Sequence, residues 1–274
     1  MQVYRHMDVG TAKPSPAARA LLPCHMVDVV DPDEQFNAGR FVKAAEALAR
    51  QIRDKGRVPV IAGGTAFYIT SFLYGLPESP PADAATRDRL RAQEAREGIG
   101  ALYRTLEARD PQGAARIQPN DPFRIIRALE VLESTGRSLF SYRWPRTPRA
   151  EFQFLIIGLE REREELYRRI DARVNAMFAQ GLVEEVKALL AMGFGPGAPG
   201  MRGIGYRELL AMCAGCQTFA EVRQLIARNS RRYAKRQLTF FRSVADVCWL
   251  RADRPAAVRE KIESFIAGGA PRST

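Results

Sequence analysis

Cysteine and histidine are scarce in this chain, and their scarcity excludes a disulfide scaffold and a zinc-stapled fold. The 274 residues include four cysteines and two histidines. Cys213-x-x-Cys216 has the spacing of half a zinc site, but no second Cys or His pair follows it. We therefore expect free thiols, no protein-bound structural metal, and a chain that works in a reducing cytoplasm.

Long apolar runs are missing as well. No stretch approaches the length of a membrane span, and the first residues lack the basic start and apolar core of a secretion signal. Hydrophobic residues still make up 46% of the chain, which is enough for a sizeable core. These observations predict a globular cytoplasmic protein with no membrane partner, folded as one large domain or two smaller ones.

Acidic residues are outnumbered. Lysine and arginine total 42 against 31 aspartates and glutamates, which gives a formal charge of +11. Most of the excess is arginine, whose planar guanidinium binds phosphates through two hydrogen bonds and stacks on bases. This balance favours a polyanionic partner, and the alternative is a generally basic surface that binds nothing.

Short apolar runs alternate with helical patterns. The run at 58–62 is typical of a buried parallel strand, and Gly63-Gly64-Thr65 follows it as a turn into a helix. Two further strands are predicted over 152–159 and 246–250. This alternation predicts an α/β fold with a parallel sheet.

A helical segment interrupts that pattern. The proline-rich connector at 76–81 leads into a charged, helix-favouring region from Asp83 to Arg109, and Asp121-Pro122 begins a further helix that ends at Gly136. We expect no strand in this part of the chain. The predicted organisation is a discontinuous α/β core, residues 1–78 and 152–274, with a helical insertion domain at 79–151.

The C-terminal half contains a long basic helix. Thr218 and Glu221 form a capping box at its start, and the helical pattern continues through Arg242. Its cations, with Tyr233 among them, suit contact with a nucleic-acid backbone. The residues expected to contact that backbone are Arg228, Arg231, Arg232, Lys235 and Arg236. A solvated helix face is the alternative reading of such a charge run.

Three other segments combine residues that suit anion or base binding. Gly63-Gly64-Thr65 places amides and a hydroxyl at a helix start, although a simple tight turn explains it equally well. Arg124 and Arg127 lie three residues apart on one helix face, and a solvated arginine pair is the alternative. The segment 201–208 combines two arginines, an aromatic ring and glycines that permit close backbone approach.

Five segments, in this order, resemble motifs of the tRNA dimethylallyltransferase family. Residues 1–14 resemble the family's D-S-x-Q-V-Y-x-x-x-D-I-G-T-A-K-P from its glutamine onward, and residues 60–68 resemble V-x-G-G-T-x-x-Y. Residues 120–130 resemble N-D-x-x-R-x-x-R-A-L-E, and 204–208 resemble I-G-Y-R/K-E. Residues 229–242 resemble T-R-x-Y-A-K-R-Q-x-T-W-F-R, with Phe in place of the family's Trp.

The resemblance implies a fold and a reaction. The fold would be a P-loop nucleotide-kinase-like parallel sheet with helices on both faces and a helical insertion. The reaction would transfer a dimethylallyl group from dimethylallyl diphosphate to the exocyclic amine of the adenosine adjoining the anticodon's 3′ side, with Mg²⁺ as cofactor and the tRNA anticodon arm bound by a monomer. The substrate contacts that the resemblance implies are Met1, Gln2, Thr65, Arg87, Phe123, Arg124, Ile125, Ile126, Arg127, Arg202, Gly203, Ile204, Gly205, Tyr206 and Arg207.

The resemblance also implies that catalytic parts are missing. The family's general base, an aspartate, would lie upstream of Met1, and no G-x-x-x-x-G-K-[ST] phosphate loop occurs in the sequence. We therefore expect a truncated member that lacks the first strand and phosphate loop and is weak or inactive alone, since even one lost transition-state donor costs about 10²- to 10³-fold in rate. The alternatives are a non-catalytic tRNA-binding remnant and a small-molecule kinase-like protein.

Overall fold

The computed structural model describes residues 1–81 and 83–269. The chain divides into two compact units. The core unit is Met1–Phe72 together with the chain from Ala150 onward, and the insertion unit is Leu73–Arg149. The domain boundaries expected at 78/79 and 151/152 stay a proposal.

The described residues form twelve α-helices. In chain order they are α1 Pro16–Leu21, α2 Ala38–Asp54, α3 Ala66–Tyr74, α4 Ala84–Glu97, α5 Ile99–Arg109, α6 Pro111–Ala114, α7 Pro122–Thr135, α8 Arg163–Ala179, α9 Leu182–Ala191, α10 Tyr206–Cys213, α11 Phe219–Phe241 and α12 Pro255–Gly269. Two short 3₁₀ helices, Leu139–Ser141 and Gly200–Arg202, complete the helical structure. Within the described ranges, no helix combines the length and the apolar character that a membrane crossing requires.

The sheet of the core unit is small and parallel. Strands β1 (Ile156–Glu160) and β2 (Val247–Arg251) pair in register, with Ile156 opposite Val247. Two of the three expected strands are thus present, each displaced by a few residues. An isolated parallel bridge also joins Tyr4 to Val30. The fold is α/β, as expected, but rich in helix, and the finer nucleotide-kinase-like description stays a proposal.

The strand expected at 58–62 is absent, and that prediction was wrong. This segment has no regular secondary structure, and Val60 is 81% exposed. A parallel strand requires a hydrogen-bonded neighbour and cover on both faces. In the described part of the chain, β1 and β2 pair with each other and nothing pairs with 58–62. An apolar run specifies a strand only where the fold supplies its neighbours.

Several helix ends carry side-chain or glycine caps, including those expected at Asp121, Gly136 and Thr218. The Ser15 and Asp121 side chains accept hydrogen bonds from the backbone of α1 and α7, and Thr218 and Glu221 form the capping box of α11. Gly136 ends α7 in a left-handed conformation. Gly98, at φ +78°, divides the helix-favouring region 83–109 into α4 and α5.

Each unit has its own apolar core. In the core unit the N-terminal loop packs against helices α8 to α11, with buried side chains that include Tyr4, Met7, Val174, Leu182, Val186, Met201, Tyr206, Leu209 and Ile226. In the insertion unit α4, α5 and α7 bury Leu90, Leu102, Leu106, Ile125, Leu129 and Leu132. The glycine- and proline-rich segment at 193–205 contributes buried residues to the first core.

Ion pairs hold the N-terminal loop in place. The nearly buried Lys13 ammonium donates to the carbonyl of Tyr4 at 2.6 Å, to Asp8 at 2.6 Å and to Asp28 at 2.5 Å. Arg19 donates to the other oxygen of Asp28 at 2.8 Å. Burial raises the pKa of Asp28, but the hydrogen bonds and charges of Lys13 and Arg19 outweigh it, so the pKa is lowered overall.

The substitution Asp28→Asn should therefore alter the acid stability of the protein. A carboxyl whose pKa is lowered in the folded state stabilises that state above the ordinary value of 3.8, and the stabilisation is lost as the pH falls through the lowered pKa. Asn tolerates the positive φ of this position, so the backbone is undisturbed. Thermal melts should show a destabilised variant at neutral pH and a shrinking difference in acid. A constant difference, or equal behaviour of the exposed control Asp33→Asn, would contradict this assignment.

Candidate nucleic-acid interface

One carboxylate organises the N-terminal loop. Glu185, on α9, accepts hydrogen bonds from three successive backbone amides: Asp8 at 2.7 Å, Val9 at 2.7 Å and Gly10 at 3.1 Å. Successive amides that converge in this way form an anion-binding concavity. The Tyr206 hydroxyl donates to the same carboxylate at 2.7 Å. Glu185 thus connects the loop, α9 and the start of α10.

Tyr206 is part of this support. The residue is 1% exposed, and burial followed by hydrogen bonding to Glu185 raises the pKa of its hydroxyl. A Cβ at Gly10 would lie 2.5 Å from that hydroxyl, so the close approach requires glycine. Tyr206 was expected among the substrate contacts. Because its ring is buried, it is not accessible to a substrate and positions the loop instead.

The loop brings the first expected contacts against the 202–205 segment. Gln2 donates to the carbonyls of Thr11 and Ala12 at 3.2 and 2.9 Å. Met1 lies against Gly203, where a Cβ would be 2.6 Å from the methionine methyl group. Met1 and Gly203, which are far apart in sequence, are thus neighbours in the structure.

A second carboxylate holds the start of α10. Glu208 is buried and accepts from the Gly205 amide at 2.7 Å, from Arg207 Nε at 2.8 Å and from Asn229 Nδ2 of α11 at 2.8 Å. Gly205 has a φ of +101°, which favours glycine. Arg207 is exposed beside this support. The remaining members of the expected set also lie here: Arg202 donates to the Gly197 carbonyl at 3.4 Å, and Ile204 packs on the core.

Helix α11 holds the glycine turn. The Gly64 carbonyl accepts from Gln237 Nε2 at 2.7 Å and from the Tyr233 hydroxyl at 3.4 Å. The Thr65 carbonyl accepts hydrogen bonds from the amides of Tyr68 and Ile69, and these bonds begin α3. Thr65 itself is exposed. The turn therefore presents an exposed threonine on a fixed backbone.

One face of α11 supports neighbouring segments, and other positions of the helix carry exposed cations. Asn229, Tyr233 and Gln237 recur every four residues on one face, so the supports for α10 and for the glycine turn lie about 12 Å apart along the helix. Four of the five cations expected at a nucleic-acid backbone are exposed: Arg228, Arg232, Lys235 and Arg236. Arg231 instead pairs with Asp171 of α8 and lies 5.9 Å from the Tyr167 ring centre.

The insertion unit places its expected contacts in two environments. Phe123 is 60% exposed and Arg124 is exposed beside it, whereas Ile125 and Ile126 are buried in the unit's core. The two isoleucine side chains are therefore structural. Arg87 and Arg127 are half-buried, and both bind the carboxylate of Glu130.

Sequence reasoning missed the supporting carboxylates, of which Glu130 and Glu208 are buried and Glu185 is partly buried. Glu185 follows buried Leu182 by three residues and precedes buried Leu189 by four, so it lies on the apolar face of α9. Glu130 follows buried Ile126 by four residues in the same way. An acidic residue at such a position must find hydrogen-bond donors, and this pattern was the available signal.

The described side chains do not provide a cation site on their own. Among residues 1–81 and 83–269, no three His, Cys, Asp or Glu side chains converge as metal ligands. The four cysteines are free thiols, as expected. A magnesium ion usually binds one or two carboxylates together with substrate phosphates. The residues present therefore do not fit a resident metal by themselves.

Fold and site together define a helix-rich α/β protein with exposed cations along one helix and exposed residues on carboxylate-supported turns. The chain matches the family model described as IPP transferase over residues 2–244. It is 45% identical to the tRNA dimethylallyltransferase of Geobacter sulfurreducens over 251 residues, which cover 91% of this chain and 81% of that protein. The chain belongs to the IPP transferase family.

Solved structures agree with this membership. The full-length tRNA isopentenylpyrophosphate transferase of Bacillus halodurans is 38% identical, with a TM-score of 0.68 over 97% of this chain and 84% of that one. A eukaryotic dimethylallyltransferase acting on tRNA has a TM-score of 0.78 at 24% identity, over 100% of this chain and 73% of its own. This second match shows a shared fold.

Glu185→Gln should destabilise the core unit. Glutamine would direct an NH₂ group at amide donors, which leaves at least one of them without its acceptor, at a cost of about 1 kcal/mol for a partly buried group. The matched control is Glu184→Gln, which removes the same charge from an exposed position of α9. Urea unfolding followed by circular dichroism measures both. Equal losses in the two variants would show that the carboxylate does not hold the loop.

Gly64→Ala should break the contact between the glycine turn and α11. The added Cβ would lie 2.0 Å from Gln237 Nε2, whereas a Cβ at Gly63 would meet nothing within 4 Å. Gly64→Ala should therefore cost about 1 kcal/mol of unfolding free energy through the lost hydrogen bond, and Gly63→Ala much less. In a Gln237→Ala background, Gly64→Ala should cost nothing further. Additive losses would refute the coupling.

Proposed function

We propose that this protein transfers a dimethylallyl group from dimethylallyl diphosphate to the exocyclic amine of the adenosine adjoining the anticodon's 3′ side in tRNA. Membership of the IPP transferase family supports the reaction class. The activities by which its relatives are named, tRNA dimethylallyltransferase and tRNA isopentenylpyrophosphate transferase, support the proposed substrate. The proposed setting is a cytoplasmic monomer.

The arrangement of α11 is the observation that carries the proposal. Its exposed cations run from Arg228 to Arg236, about 12 Å along the helix, which is long enough to face more than one phosphate of the same strand. The same helix holds the Gly63–Thr65 turn through Gln237. A strand that follows the cations is thereby brought towards an exposed threonine whose position is fixed.

The chemistry requires the target base to leave its stack. An enzyme that modifies a base amine must extrude the nucleotide and hold it by hydrogen bonds and aromatic or apolar contact. In the proposal the exposed Thr65 hydroxyl contacts the extruded nucleotide, and Met1, Gln2, Gly203 and Arg207 line its surroundings. In the insertion unit, Phe123 and Arg124 also contact the tRNA in this proposal, since an exposed ring stacks on bases and a guanidinium binds phosphate.

The amine must also lose a proton, and the diphosphate must leave. No residue among the 274 is assigned the role of general base in this proposal. Mg²⁺, the proposed cofactor, would neutralise the departing diphosphate when bound. The roles assigned to this chain's own residues are therefore to bind, to orient and to exclude water.

Nucleoside analysis tests the reaction directly. The protein would be incubated with dimethylallyl diphosphate, Mg²⁺ and a tRNA that carries adenosine beside the anticodon, and digested nucleosides would be identified by mass spectrometry. A dimethylallylated adenosine should form, and none should form on a tRNA with guanosine at that position. Product absent under all conditions, including with a form extended upstream, would refute the proposal. The expectation that this chain alone catalyses weakly stays a prediction, which the same comparison measures.

Substitutions on α11 should change the salt dependence of tRNA binding. Arg232→Ala and Lys235→Ala each remove one proposed phosphate contact, so the slope of log K against log salt should fall by about 0.7–0.9 per substitution. Arg259→Ala removes an equal charge from an exposed position of α12 and should leave the slope unchanged. Equal slopes in all three variants would contradict the assignment of the α11 face. Filter binding across a salt series measures the slopes.

A further inference from the structure

Glu130 is a charged residue in an apolar position of the insertion unit. It lies on α7 and is 1% exposed. Its Oε1 accepts from the Asp83 amide at 2.6 Å and from Arg127 Nη1 at 3.1 Å, and its Oε2 accepts from Arg87 Nη2 at 2.7 Å. One carboxylate therefore joins α7, α4 and the residue that caps α4.

The two arginines are held on more than one side. Arg127 Nη2 also donates to the Pro80 carbonyl at 2.5 Å and to Ser79 Oγ at 3.3 Å. Each guanidinium has five N–H donors, so these hydrogen bonds leave donors on both. Both side chains remain a quarter exposed. Two cations around one anion carry an excess charge of +1, which suits a further anion.

We propose that Glu130 is a positioning residue that fixes Arg87 and Arg127 side by side so that together they bind an RNA phosphate. The proposal rests on the proposed function, which places both arginines at the tRNA. Without the carboxylate, two neighbouring guanidiniums repel each other and turn away. The buried anion keeps them together and sets the orientation of their unused donors.

The sign of the effect separates positioning from simple charge balance. Glu130→Gln removes a negative charge beside the proposed phosphate site. If Glu130 only offset the positive charge, its removal would tighten RNA binding through the stronger positive field. If it positions the arginines, the same substitution weakens binding despite the added positive charge. The two roles therefore predict opposite changes in the dissociation constant.

The experiment compares Glu130→Gln with Glu133→Gln on the same helix. Glu133 also pairs with two arginines, Arg89 and Arg109, and its substitution changes the net charge equally. For tRNA, Glu130→Gln should raise Kd about tenfold, or about 1.4 kcal/mol. It should also lower the salt slope by about one contact and raise KM while kcat holds. Glu133→Gln should leave Kd within about twofold.

Several outcomes would overturn the proposal. Binding by Glu130→Gln that equals or exceeds that of Glu133→Gln would show that the carboxylate does not position the arginines. Circular dichroism reports whether Glu130→Gln folds, and if it does not, Glu130→Asp replaces it with the charge kept and one methylene removed. Glu130→Asp should still weaken binding at least about threefold, and wild-type affinity would refute the proposal. A wild-type protein that does not bind tRNA would instead refute the proposed function.

Discussion

The hydrogen bonds between Glu185 and three successive amides of the N-terminal loop are the interaction on which the rest of the core unit's site depends. They fix the backbone that carries Met1 and Gln2, and the Tyr206 hydroxyl shares the same carboxylate. Tyr206 in turn begins α10. In this helix, the Glu208 carboxylate accepts a hydrogen bond from the Asn229 side chain of α11. A chain of short contacts thus connects the loop to the long basic helix.

The same device recurs in both units. Glu130, Glu185 and Glu208 each accept at least one backbone amide, and Glu130 and Glu208 each also hold an arginine. Removing a carboxylate even partly from water is costly unless donors surround it, so each one fixes several groups at once. Glu130 and Glu208, which are buried, also set the positions of arginines at the surface. At Glu130 and Glu208, the position of an exposed or partly exposed arginine therefore depends on a carboxylate held inside the protein.

The sequence was informative where local chemistry decides structure. The caps at Asp121 and Thr218 predicted helix starts because each side chain satisfies amides within its own segment. The sequence also predicted the strands around Ile156 and Val247. The run at 58–62 was misassigned because a strand depends on a partner that local pattern does not reveal.

Part of the candidate site was also predictable, because local motifs identify the segments that carry it. Motif order located the segments with Thr65, Arg124 and Arg207, which the structure exposes. It did not separate contacts from supports: Tyr206 and Ile125 belong to the motifs yet are buried. Their roles follow from contacts with residues far along the chain, such as Glu185 with Tyr206, and these arise only on folding.

Ultraviolet cross-linking of the protein to tRNA, followed by mass spectrometry of the linked peptides, tests the central claim most directly. The account predicts cross-links at the exposed aromatic residues of α11, Tyr233 and Phe240, with none on α12. Competition with unmodified anticodon arm should remove them. Cross-links confined to α5 or α12, with Tyr233 and Phe240 unlinked, would contradict the claim that carboxylate-supported turns and the α11 face form one RNA-binding surface.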